Sequence, residues 1–182
     1  MKKLLLSLFV LGFGFVQAAD PCKSGLQPNQ RPGPYSALVS VGKERGTQHC
    51  YVCEAEDRPI AIIFARTLNE PLGKLVKSLD RAVLKNKDVE MRAWVTLMAE
   101  DQTTLDPQVV KWAKQHAIDH VPVGVFEDLV GPPAYRISSE ADVTVLLSVK
   151  QKVVANFAYR AGELNDSAIT TIGNAIPKIL KK

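Results

Sequence analysis

The chain is short of the motifs that would announce a common chemistry. It has no glycine-rich phosphate loop, no Ser-His-Asp set and no paired-carboxylate motif, so phosphate cradling, triad catalysis and two-carboxylate acid–base work have no residues to stand on. Nor is there a stripe of Lys and Arg interleaved with aromatics. The terminal Lys178, Lys181 and Lys182 read as the solvated end of a helix, where cations favour the dipole. No nucleic-acid partner is expected, and no cofactor is implied. Cysteine is scarce, with three in 182 residues. A chain of this length forms one domain and buries a full-sized core without disulfides, so those few thiols call for a chemical explanation.

Apolar runs of membrane-spanning length are missing as well. The run from Leu4 to Val16 falls short of the roughly 20 residues that cross a bilayer. It follows Lys2 and Lys3 and ends in Val16-Gln17-Ala18 ahead of Ala19, the order of a secretory signal peptide over residues 1–18. The reading is an extracytoplasmic protein, periplasmic or secreted, with no membrane span after signal cleavage. Pro21 stands before Cys22 where a lipid-anchored cysteine needs a small residue, which argues against a lipoprotein. Removing residues 1–18 takes away two lysines and no acid, so the formal charge of +4 becomes +2 and the basic balance loses its meaning.

Residues 19–34, with Pro21, Pro28, Pro32 and Pro34 and little that is apolar, read as an extended leader lying on or beside the domain. Residues 35–57 contain an alternating edge strand, Tyr35 to Val41, a turn at Gly42 and Gly46, and a return segment. From residue 58 onward the pattern is β-α-β-α-β-β-α. Ile60–Ala65 is a buried central strand, and Asn69 caps a helix over 70–85. A strand follows at Met91–Met98, then a helix capped by Asp106-Pro107 and a strand at Pro122–Phe126. Val143–Val149 and Lys152–Tyr159 lie too close for anything but an antiparallel hairpin, and Asn165 caps a last helix to about Leu180.

The chemistry concentrates in Cys50-Tyr51-Val52-Cys53. Three readings stay open. The pair forms a structural disulfide pinning the turn into the central strand, which over so short a loop contributes little chain entropy. Alternatively it is a reducible redox pair, with His49 favouring a thiolate and Glu54 opposing it. Or His49, Cys50 and Cys53, with Cys22 as a fourth ligand, attach a metal, although the spacing lacks a second C-x-x-C or H-x-x-x-H partner. Cys22 is left over as a free, interchain or resolving thiol. His116 reads as a solvated surface residue, and Trp94 and Trp112 as packing residues.

The element order, with Ala117-Ile118-Asp119-His120-Val121-Pro122-Val123, resembles the thioredoxin superfamily, in which an Ile-x-x-Val-Pro run leads a strand through a cis-proline. The resemblance covers roughly residues 58–182. It implies a thioredoxin-like three-layer α/β fold, with a mixed central sheet, flanking helices and an N-terminal β extension. It further implies a cis Val121–Pro122 bond, a substrate groove at His120, Val121 and Pro122, and thiol–disulfide exchange with protein thiols or disulfides. In that family the reactive cysteines follow the central strand. Here Leu68 and Pro71 stand at about those positions, and the C-x-x-C is displaced to the segment before the strand. By the family pattern Cys50 attacks and Cys53 resolves. The rival reading is a non-catalytic binding module that keeps the fold and uses the Cys50–Cys53 disulfide as a staple.

Overall fold

A strand with no polar residue needs cover on both faces. Ile60–Ala65 (β3) meets that condition, with all six residues buried. The computed structural model describes residues 20–180, so the proposed signal segment 1–18 lies outside them. Six further strands join β3: Ala37–Val41 (β1), Gln48–His49 (β2), Arg92–Met98 (β4), Val123–Phe126 (β5), Val143–Val149 (β6) and Lys152–Tyr159 (β7). The sheet runs β2-β1-β5-β4-β3-β6-β7. β3, β4 and β5 are parallel, while β6 runs antiparallel to β3 and β1 antiparallel to β5. The β6–β7 hairpin closes through Lys150 and Gln151 at φ of 51° and 57°, the two left-handed residues that a primed turn requires. β1 is not the edge expected of it, because the two-residue β2 lies outside it.

The helices are Tyr51–Ala55 (α1), Glu70–Lys85 (α2), Gln102–Gln115 (α3), Asp166–Ala175 (α4) and Pro177–Leu180 (α5). The α2 boundaries follow from Asn69, whose side chain accepts from Leu72 N–H, and from apolar positions at helical spacing. α3 begins earlier than its Asp106-Pro107 pair suggested. Asp101 caps it by accepting from Thr103 N–H, Pro107 lies inside the helix, and Asp106 instead meets Arg45 at 2.8 Å. The final helix is two, broken at Ile176 ahead of Pro177.

One face of the sheet, including Ala61, Ile63, Val95, Leu97, Val145 and Leu147, packs against α2, α3, α4 and α5. The opposite face presents Ile62, Phe64, Trp94, Leu146 and Val153, and no long helix among the described residues covers it. Its cover comes from α1, the turn around Tyr135 and Ile137, and Leu26 of the leader. The leader is stitched down by hydrogen bonds. Ser24 Oγ meets Thr144 Oγ1 at 2.7 Å, and Asn156 Nδ2 donates to the carbonyls of Ser24 and Leu26 at 2.7 Å. Asn29 N–H donates to Val153 O at 2.8 Å, and Val153 N–H donates to Gln30 O at 2.9 Å. Gly25, at φ 76°, makes this approach feasible, since a Cβ there would fall 2.8 Å from the Thr144 methyl.

Candidate active site

The C-x-x-C lies on a helix that the sequence reading did not expect. Cys50 is the N-cap of α1 and Cys53 sits in its first turn. Tyr51, Val52 and Ala55 turn toward the apolar sheet face, and five residues are too few for periodicity to reveal it. The Tyr51 ring lies 5.7 Å from Trp94 and 4.4 Å from His49, and its hydroxyl donates to Glu44 at 3.0 Å. Burial and the Glu44 carboxylate push the Tyr51 phenol well above its usual range. The neighbouring Tyr35 is pushed up to about 12 by burial, although it bonds Thr96 and Trp94. This aromatic floor holds α1 flat on the sheet.

Cys50 and Cys53 are joined by a disulfide, their Cα atoms 5.4 Å apart. Cys53 N–H donates to Cys50 Sγ at 3.2 Å. The two cysteines are not equivalent, since Cys50 is half-buried and Cys53 exposed. Cys53 lines a groove of about 480 Å³ between α1 and the leader. Pro32, Pro34, Val52 and Ile60 make its apolar walls, and Arg31, Glu56 and Gln151 its polar rim. Beside the disulfide, Glu54 lies between His49 and Arg92. Its Oε1 lies 3.1 Å from His49 Nε2 without hydrogen-bond geometry, and Arg92 donates to its Oε2 at 3.2 Å.

The proline motif has another role. Among the described residues no peptide bond is cis, so Val121–Pro122 is trans. Pro122 immediately precedes β5, where a missing N–H costs no ladder bond, and its carbonyl accepts from Val95 N–H at 2.9 Å. β5 lies beside β4 and β1, and the strand antiparallel to β3 is β6, which Asp142 precedes. None of His120, Val121 and Pro122 lines the groove at Cys53. Val121 is in the core, and His120 N–H donates to Asp80 Oδ1 at 2.6 Å. The expected substrate groove at those three residues is therefore not formed with the disulfide.

The β3–α2 junction, where the resemblance would place reactive thiols, is closed by other bonds. Thr67 Oγ1 donates to Asp142 at 2.9 Å, and the Arg66 guanidinium donates to the carbonyls of Ala141, Ser138 and Leu129. Cys22 lies elsewhere, in a shallow hollow beside Tyr159 and Arg160. Burial raises its pKa against the pull of Arg160, with Glu163 and Glu140 raising it further. A metal reading loses its ligands, because the C-x-x-C sulfurs are bonded to each other; among the described residues no group of three or more His, Cys, Asp or Glu is placed to hold an ion. His116 is half-buried rather than solvated, its ring 5.3 Å from Trp112 and packed over Gly73.

No family model matches the chain, and no curated protein is similar to it in sequence. Solved structures are similar in shape. A Bacteroides thetaiotaomicron protein assigned as a disulfide isomerase aligns with TM-score 0.66 at 13% identity, over 87% of this chain and 94% of that one. A thioredoxin-family thiol:disulfide interchange protein from Chlorobium tepidum aligns with TM-score 0.60 at 12% identity, over 86% and 99%. Peroxidoxin BcpB from Mycobacterium tuberculosis aligns with TM-score 0.60 at 11% identity, also over 86% and 99%. Likeness at this level of identity is one of fold, and the fold is thioredoxin-like.

Proposed function

We propose that this protein carries out thiol–disulfide exchange through Cys50 and Cys53, acting outside the cytoplasm on thiols or disulfides of other proteins. The observation that carries the reading is a disulfide of which one cysteine, Cys53, is exposed and lines a groove. An oxidised pair fits an oxidising compartment, in keeping with residues 1–18 as an export signal and 19–34 as a leader. The described residues include no helix long and apolar enough to cross a membrane. A thioredoxin-like scaffold is compatible with the chemistry, but the reactive pair stands on its N-terminal extension rather than at the β3–α2 junction.

The experiment is a redox titration of the pair with turnover of a protein disulfide. An exchanging pair should have a reduction potential above about −300 mV, the level below which structural bridges lie. Cys50→Ser and Cys53→Ser should each abolish turnover. Both should stay folded, because a four-residue loop contributes only about 2 kcal/mol of chain entropy. A pair that resists reduction until the protein unfolds would instead support the binding module with a structural disulfide. One observation favours that second reading: no thiol occupies the β3–α2 junction, where Thr67, Leu68 and Asn69 stand.

A further inference from the structure

Resting on the exchange reading above, we infer that Cys53, and not Cys50, is the sulfur that joins the partner, and that Cys50 is the leaving thiolate. A thiolate attacks a disulfide along the S–S axis, from the side away from the sulfur that leaves, so access decides between the two ends. Cys53 is exposed and forms part of the groove wall; Cys50 is half-buried and does not line it. The side chain preceding Cys53, Val52, lines the same groove, so a thiolate entering between Pro32, Pro34 and Val52 meets Cys53 first. On the far side, Cys53 N–H already donates to Cys50 Sγ at 3.2 Å and can stabilise the charge that collects there.

The exchange balances as follows in a partner carrying two thiols. One partner thiol gives up its proton, and its sulfur lone pair forms a bond to Cys53 Sγ. The Cys50–Cys53 bond breaks with its electron pair on Cys50, which takes up a proton. The second partner thiolate then attacks the partner's own sulfur in the mixed disulfide and releases Cys53, which is protonated in turn. The partner dithiol is oxidised, and the Cys50–Cys53 disulfide is reduced to two thiols. This order of roles reverses the one implied by the family pattern, in which the N-terminal cysteine attacks.

The test uses the full-length protein with Cys22→Ser as background. In that background, Cys50→Ala leaves Cys53 as the lone thiol and Cys53→Ala leaves Cys50, and each is reacted with 5,5′-dithiobis(2-nitrobenzoate) at pH 7. Cys53 should form the mixed disulfide at least tenfold faster. An independent arm keeps both cysteines, exposes the oxidised protein to reduced glutathione, quenches with acid and maps the adduct by mass. The glutathione should be found on Cys53. Equal or reversed rates, or an adduct on Cys50, overturn the assignment while leaving exchange itself intact. If neither thiol reacts and folded protein is inert to glutathione and dithiothreitol alike, the exchange reading fails and the assignment with it.

Discussion

Asp80 shows what one buried carboxylate does in this structure. Its side chain is 4% exposed, yet it accepts from Asp119 N–H at 3.0 Å and His120 N–H at 2.6 Å, with His120 Nδ1 at 3.3 Å and Lys77 Nζ at 3.6 Å. These contacts tie α2 to the segment that leads into β5. Burial pushes its pKa up, but the hydrogen bonds from His120 and Asp119 and the charge of His120 outweigh that, and the carboxyl is held below its ordinary value. A depressed folded value means that the carboxylate stabilises the fold above its unfolded pKa, about 3.9, and that this stability is lost as pH falls through the lower folded value. Asp80→Asn should cost about 1–3 kcal/mol at pH 7. In urea titrations from pH 7 to pH 3, the gap between variant and wild type should narrow below about pH 4. An unchanged gap at pH 3 would mean that shape rather than charge matters at this position.

At the scale of elements, Pro107 is the informative residue. It lies inside α3 and is exposed, so the helix forgoes a backbone hydrogen bond at a position outside the buried core. Pro107→Ala should stabilise the protein by about 1–3 kcal/mol, seen as a rise in thermal midpoint. No rise would indicate that the first turn of α3 contributes little. This same residue explains one failure of sequence reading: Asp106-Pro107 resembles a cap followed by a first-turn proline, while the true cap, Asp101, precedes Gln102, Thr103 and Thr104, which carry no apolar signal. α2 and the β6–β7 hairpin were legible because cap, periodicity and spacing agreed there. α1 was not, being only five residues long and shaped by Trp94 and Glu44, which lie far from it in sequence or across a turn. The proline motif misled because a local string does not say which strand its segment will join. The two cysteines were legible as a pair; their inequality, which depends on the leader and on the sheet face, was not.

The molecule as a whole has two cores built differently, one under four helices and the other under a leader with little regular structure. Leu26 is the leader's anchor, 4% exposed. Leu26→Ala should therefore cost about 2–4 kcal/mol in urea denaturation, as a helix-borne leucine would, and should open residues 20–34 to protease. A cost near zero with no new cleavage would mean that the polar stitches alone hold the leader. Those stitches have a consequence for the order in which the protein is made. Ser24 meets Thr144 across 120 residues of chain, Asn156 reaches back 132 to Ser24, and Arg160 reaches back 140 to Asp20. The leader is the first of these parts to leave the ribosome, and its seat on β6 and β7 is among the last to be synthesised. Contacts of such long range also form late in folding. Pro32 and Pro34 can wall the groove only after the final hairpin is in place. A nascent or truncated chain therefore carries Cys50 and Cys53 without the finished groove, and the complete C-terminal third is the condition under which Cys53 stands in the wall of a shaped cavity.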